Sequence, residues 1–282
     1  MGRTLTALVA QVRPVSFDAV GTLSKFEDEV AMAVSQFPGV DILIFPELYL
    51  TGEDPFVPGA PDGYADRVAE PVPGPTSDRA GKVAGRSGRW IVAGSILERD
   101  GDRIYNTALV FSPDGALVAR HRKIFPWRPW EIVAPGDVAT VFDIPGKGRL
   151  GLMTCYEGWF PEAARGLALA GAELIVQPSM TATSDRDQEI VLARGTAITN
   201  QCFVLGVNAV STIGGGRSIG VDPEGRVLFE GGPGEELHVE VLDMDRPGVV
   251  REHGTLGLNR VWRHFHEAPR GLFEPYRRFL EG

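Results

Sequence analysis

The chain predicts a four-layer α-β-β-α sandwich of the α/β class, made of two halves related by a faint internal two-fold. Three observations point there. The apolar stretches DILIFPE (Asp41–Glu47), AELIVQ (Ala172–Gln177) and CFVLGVNAV (Cys202–Val210) are continuous rather than alternating, as expected of strands buried on both faces. Capped helical patterns alternate with them. Two turn sequences, SPDG (Ser112–Gly115) and DPEG (Asp222–Gly225), each close a hairpin after two strand–helix units.

In chain order, TLTALVAQV (Thr4–Val12) alternates, runs into Arg13 and Pro14, and lacks a small-residue cleavage site, so it reads as a strand and not as a signal segment. MGRTLT fits the loose myristoylation pattern at Gly2, but its residues are committed to that strand. Asp18 caps a helix carrying Val20, Leu23, Phe26, Val30 and Val34, with Gly39 just past its end. Pro46 ends the strand of DILIFPE and leaves a carboxylate, Glu47, immediately beyond. Leu48 to Pro75, rich in Pro, Gly and acid, reads as a long loop over the strand ends. A helix from Thr76 or Ser77 to about Arg86 follows, then strands at Arg89–Leu97 and Tyr105–Phe111, and a further segment ending at Lys123.

Ile124 to Asp137 holds too much Pro and Trp for a regular element, and it carries Glu131. VATVFDI (Val138–Ile144) is a strand. The next strand, RLGLMT, stops at Cys155, and a helix from Pro161 to about Ala170 follows, with Gly171 at C′. After Ala172–Gln177 comes a second loop at the same sheet edge, PSMTATSD (Pro178–Asp185). Ser184 and Asp187 resemble a capping box for a helix from Asp185 to about Gln201. Gly195 inside that helix costs about 1 kcal/mol against Ala and predicts close packing. Cys202 starts a strand and belongs to the core. A hairpin spans Ser218 to Glu230, and a strand at Glu236–Asp243 completes the core. Residues 1–245 thus form one domain, and residues 246–282 a C-terminal arm expected to pack on a partner subunit.

The totals narrow the function. With 43% hydrophobic and 23% charged residues the 282-residue chain is globular in composition. A net charge of −9 argues against general nucleic-acid binding and suits a protein that handles small molecules. Two cysteines form no disulfide framework and fit a reducing compartment, and no apolar run reaches the ~18 residues of a membrane span, so a cytoplasmic location is expected. The five histidines and the carboxylates show no ligand spacing, so neither metal nor cofactor is expected.

Glu47, Lys123 and Cys155 stand at or just beyond the ends of apolar strands. Singly each has a bland reading: most glutamates face water, Lys123 follows His121 and Arg122 in a basic run, and a free cysteine is usually core. Together they supply what nucleophilic attack on a carbonyl or nitrile carbon needs: a thiol, a base to deprotonate it, and a fixed cation for the developing negative charge.

On these residues the chain resembles the nitrilase superfamily of carbon–nitrogen hydrolases, whose members use a Glu-Lys-Cys triad. Glu47 in IFPELYLTG, Lys123 in HRKIFPW and Cys155 in GLMTCYEGWFPE match its three motifs in order, and Glu131, followed by APGD, matches the fourth, supporting glutamate. The resemblance runs from the first strand to about residue 245. It implies the same sandwich, usually paired into a homodimer, with Glu47 as general base, Cys155 as the nucleophile carrying a thioester, Lys123 and the Tyr156 N–H as the oxyanion hole, and Glu131 orienting Lys123 or the substrate nitrogen.

Tyr156-Glu157 replaces the Trp-Glu common in true nitrilases, which favours a small amide or N-carbamoyl substrate and ammonia release. A nitrilase, or an acyltransferase using the same thioester, is the alternative; a catalytically silent interaction protein on this fold is a third reading, opposed by the retention of all four polar residues. Phe56, Trp127, Trp130 and Trp159 lie on loops near the site as candidate pocket walls, and Arg128 or Arg186 as candidates for binding a substrate carboxylate.

Overall fold

The computed structural model describes residues 2–181 and 184–281 and contains two six-stranded sheets. In the first half, β1 (Thr4–Gln11), β2 (Ile42–Ile44) and β3 (Trp90–Asp100) run parallel, and β4 (Arg103–Phe111) and β5 (Leu117–Arg122) continue the sheet antiparallel. In the second half, β6 (Val141–Ile144) flanks β7 (Gly148–Leu152); β7, β8 (Leu174–Ser179) and β9 (Phe203–Asn208) are parallel, and β10 (Ile219–Val221) and β11 (Val227–Glu230) are antiparallel. β12 (Glu236–Asp243) returns to the first sheet beside β1, as β6 sits beside β7. The two-fold read from the hairpins therefore extends to all twelve strands. Its two turns match bond for bond: the N–H of Ser112 meets the carbonyl of Ala116, and that of Asp222 the carbonyl of Arg226, both at 2.9 Å.

Eight α-helices lie among the described residues, α1 (Ala19–Gln36), α2 (Tyr64–Val68), α3 (Pro75–Ser87), α4 (Pro161–Leu169), α5 (Asp185–Asn200), α6 (Arg246–His253), α7 (Val261–His266) and α8 (Glu274–Glu281), of which α1, α3, α4 and α5 form the outer layers. β1 shows why continuous apolar strands specify this architecture. Leu5, Ala7 and Val9 face the second sheet, meeting Leu152, Val176 and Leu205, while Leu8 and Ala10 face Phe26 and Val30 of α1 and Val83 of α3. On the far side, Ile175 and Val204 pack on Leu167 of α4 and on Ile190 and Ala193 of α5. No helix among the described residues is long and apolar enough to cross a membrane.

Several sequence expectations are corrected. Val20 is 72% exposed, because α1 turns Leu23, Phe26, Val30 and Ala33 inward instead. The stretch Leu48–Pro75 is not one open loop: it begins with a buried 3-10 turn (Tyr49–Thr51) and includes α2. Ser184 forms no capping box, since its backbone is already helical and Asp187 instead pairs with Arg217 at 2.6 Å. Gly195 faces open space, so close packing does not explain it. The strand expected at Glu236–Asp243, by contrast, is present as β12, an edge strand that adds buried Leu242 to the core and packs Leu237 and Val239 against it. Residues 182 and 183 of the loop expected at Pro178–Asp185 lie outside the described residues.

The arm begins on its own chain. Arg251 donates to the carbonyl of Ala172, Trp262 Nε1 to that of Asn200, and Gln201 Nε2 to those of Val250 and Asn259. Beyond it, Leu272, Phe273, Tyr276 and Phe279 are exposed.

One backbone detail fixes the segment that carries Glu47. β3 shifts register against β4 between Val92 and Ser95, and Gly94 there has φ +69°, a conformation natural only to glycine. A side chain on Gly94 would collide with the Pro46 carbonyl. The same bulge lets Ser95 Oγ accept the Leu48 N–H at 2.9 Å, so Glu47 is held from both sides. Gly94→Ala is expected to lower the unfolding free energy by about 2–4 kcal/mol, measured by urea denaturation.

Candidate active site

Glu47, Lys123 and Cys155 reach one cavity because each follows a strand that stops abruptly. Pro46 ends β2, and Leu48, at φ +49°, turns the chain directly after Glu47. Lys123 is the first residue past β5, with its N–H on the Asn106 carbonyl and its own carbonyl taking the Gly136 N–H, both at 2.8 Å. Cys155 lies just beyond β7 and opens a 3-10 turn, Cys155–Trp159, in the left-handed region at φ +48°. A non-glycine residue held there stores backbone strain of order 1 kcal/mol or more. Gln177 Nε2 bonds the Cys155 carbonyl at 2.8 Å, and Cys155 Sγ is 3.5 Å from Thr181 Oγ1.

Glu157 ties this turn to the lysine segment. Its buried carboxylate accepts the N–H groups of Thr154 and Ile124, and His121 Nε2 lies 2.9 Å away. The Cys155 turn and the end of β5 are thereby joined through one side chain.

The charged centre is dry. Lys123, Glu47 and Glu131 are 2%, 3% and 5% exposed. Lys123 Nζ is 2.9 Å from Glu47 Oε1 and 2.7 Å from Glu131 Oε2. Asn106 Nδ2 bridges the two carboxylates at 2.8 and 2.7 Å, and the Trp127 N–H gives Glu131 a further bond at 2.8 Å.

The environments separate the two glutamates. Burial raises Glu47, and the nearby Glu131 charge adds to it, outweighing Lys123. Burial would raise Glu131 as well, but Lys123 and the bonds from Asn106 and Trp127 bring it below the ordinary range. Lys123 should be depressed by burial, yet Glu131 and Glu47 hold it well above its usual value. Burial, then Glu47, pushes the Cys155 thiol far up, so the resting residue is a neutral thiol that needs a base. Glu131 is therefore the permanent partner of Lys123, and Glu47 the carboxylate ready to accept a proton.

These groups open onto a cavity of about 350 Å³. All four aromatics proposed from sequence, Phe56, Trp127, Trp130 and Trp159, line it, together with Tyr156. The two arginines do not. Arg128 spends its guanidinium on the carbonyls of Glu131 and Val133, and Arg186 is buried against Glu189 at 2.9 Å and bonds the Arg217 carbonyl. The idea that either binds a substrate carboxylate is thus corrected. Among the described residues no group of three His, Cys, Asp or Glu side chains could hold a metal.

Sequence reading missed Asn106, Asp54, Thr181 and Glu189. Asn106 had a signal, a fully buried amide beside Thr107 inside the apolar run YNTALVF, where an amide has no place unless it meets a polar partner. Asp54, Thr181 and Glu189 sit on loops or a helix start, where polar residues are ordinary.

The sandwich, with its acid-ammonium-thiol cavity at the strand ends, places the protein in the nitrilase superfamily class of fold. The sequence model described as "Carbon-nitrogen hydrolase" matches residues 6–251, and the chain belongs to that family. Omega-amidase NIT2 of Bos taurus is 31% identical over 205 residues, 67% of this chain and 74% of that protein. The formamidase of Bacillus thuringiensis (strain Al Hakam) is 29% identical over 291 residues, covering 96% and 85%. Among solved structures, Saccharomyces cerevisiae Nit3, of branch 10 of the nitrilase superfamily, superposes with a TM-score of 0.79 at 28% identity, over 92% of this chain and 97% of that one. The enzyme class read from the sequence, an amidase-type carbon–nitrogen hydrolase, is borne out.

Removing the ammonium should expose its electrostatic role. In the native protein Glu131, held low, contributes stability that is present above the ordinary glutamate value of 4.5 and lost as pH falls through its lower folded value. Lys123→Met leaves two buried carboxylates uncompensated. It should cost about 3–5 kcal/mol at neutral pH in urea denaturation and, with both carboxyl pKa values now raised, regain part of that loss on acidification.

Proposed function

We propose that the protein hydrolyses the carbon–nitrogen bond of a small amide or N-carbamoyl compound through a thioester on Cys155, releasing ammonia. The observation that carries this reading is a neutral thiol sharing one cavity with a proton-accepting Glu47 and a fixed Lys123 ammonium. The names of its relatives, an omega-amidase and a formamidase, support amides as the substrate class.

Glu47 takes the thiol proton as Sγ attacks the carbonyl carbon. The oxyanion that forms is met by Lys123 and by the N–H of Tyr156, which lies in the first turn of the 3-10 segment and has no helical acceptor there. Each such donor is worth roughly 3 kcal/mol in the transition state. Glu131 keeps Lys123 charged and aimed. The tetrahedral intermediate collapses as protonated Glu47 returns its proton to the departing ammonia, leaving the acyl group on Cys155. Glu47 then deprotonates a water that attacks the thioester, and the acid leaves with the thiol restored.

For the chain as a whole, we propose a cytoplasmic protein in which residues 1–245 form the hydrolase domain. The exposed apolar side chains of α8 and of the turn before it form the face for a second copy in a homodimer. Phe279, at 85% exposure, is the side chain to test: Phe279→Asp is expected to shift a dimer towards monomer in light scattering.

Catalysis is tested by intact mass spectrometry and ammonia release over amides, N-carbamoyl amines and nitriles. The native chain should form an acyl adduct and turn over amides or carbamoyl amines. Cys155→Ala should abolish the adduct and lower kcat by roughly a millionfold, to background. Turnover of nitriles alone would assign the reaction differently.

A further inference from the structure

The cavity is strongly one-sided in charge. Five carboxylates line it, Glu47, Asp54, Glu131, Asp185 and Glu189, against the single ammonium of Lys123 among the described residues. Three of the five are already answered: Lys123 sits between Glu47 and Glu131, and Arg186 reaches Glu189 from behind the wall. Asp54 and Asp185 have no ion pair among the described residues.

Asp54 is the more telling. Its Oδ1 accepts the Phe56 N–H at 2.8 Å, while Oδ2 has no hydrogen-bond donor among the described residues and the half-buried side chain lines the cavity. Burial, and then the charges of Glu47 and Glu131, lift its carboxyl to about 7 against the pull of the Phe56 N–H and Lys123. A carboxylate in that condition lacks a cation. Phe56, Trp127 and Trp130 line the same cavity, and aromatic rings attract a desolvated cation through their faces.

Resting on the reading of this cavity as an amide-hydrolysing site, we propose that its substrate carries an ammonium group at the end remote from the scissile bond, and that Asp54 is the residue that binds it. Amides ending in a carboxylate meet like charge on the cavity wall and, with Arg128 and Arg186 both committed elsewhere, no free cation among the described residues. They are the disfavoured class.

Three amides of matched length test this: δ-aminovaleramide (cationic tail), hexanamide (neutral) and glutaramate (anionic). kcat/KM is read by ammonia release at roughly pH 8, where Asp54 is ionised. The expected order is cationic, neutral, anionic, with the ends separated by roughly tenfold or more. Asp54→Asn should reduce the ratio of cationic to neutral substrate by roughly 10- to 100-fold, and Asp54→Glu should retain most of it. Glutaramate turned over as well as δ-aminovaleramide, or a ratio unmoved by Asp54→Asn, overturns the proposal; should that variant not fold, the order in the native protein decides. Turnover blind to tail charge removes the ammonium subsite and leaves the amidase reading standing, whereas no ammonia and no acyl adduct from any amide removes both.

Discussion

The Lys123 ammonium lies within 3 Å of two carboxylates that would each be costly to bury alone, and the rest of the site is arranged around keeping the three together. Without Glu131, the lysine would face Glu47 as a simple pair, and a strong pair would silence the base. With Glu131 as the tighter partner, Glu47 retains its affinity for a proton. Asn106 makes this division possible by donating to both glutamates, so neither has to turn away from the other to find a hydrogen bond.

This centre is also where the two halves of the sandwich meet. Glu47, Asn106 and Lys123 come from the first sheet and its edges, whereas Cys155, Gln177 and Thr181 come from the second. The acid and cation are therefore positioned by one sheet and the thiol by the other, and their separation is set by how Val9 and Ile44 pack on Leu152 and Val176. Glu157 adds a polar tie across the same seam through Ile124 and His121.

Much of this was legible in the chain. Continuous apolar strands announced burial on both faces, the paired SPDG and DPEG turns announced the repeat, and the positions of Glu47, Lys123 and Cys155 at or just beyond the ends of apolar strands brought them together as candidates. The aromatics singled out on the loops, Phe56, Trp127, Trp130 and Trp159, line the cavity. What failed to show were features that depend on the direction of a side chain. Arg128 and Arg186 read as available cations until their carbonyl and carboxylate partners were visible. Ser184 and Asp187 had the spacing of a cap without its backbone, and Val20 had the helical period but fell on the outer side of α1. Asp54 lay unnoticed in an acidic loop, because only the fold shows which of its neighbouring acids faces inward.

The ring of carboxylates has a further bearing on the second half of the catalytic cycle. On the proposed reaction, hydrolysis turns a neutral acyl group into a carboxylic acid that ionises, so the product acquires a negative charge inside a chamber already lined with carboxylates. Departure is then favoured by electrostatic repulsion at the moment the reaction finishes. The new charge is thus repelled at the reacting end of the chamber, even where an ammonium tail that the product keeps still faces Asp54.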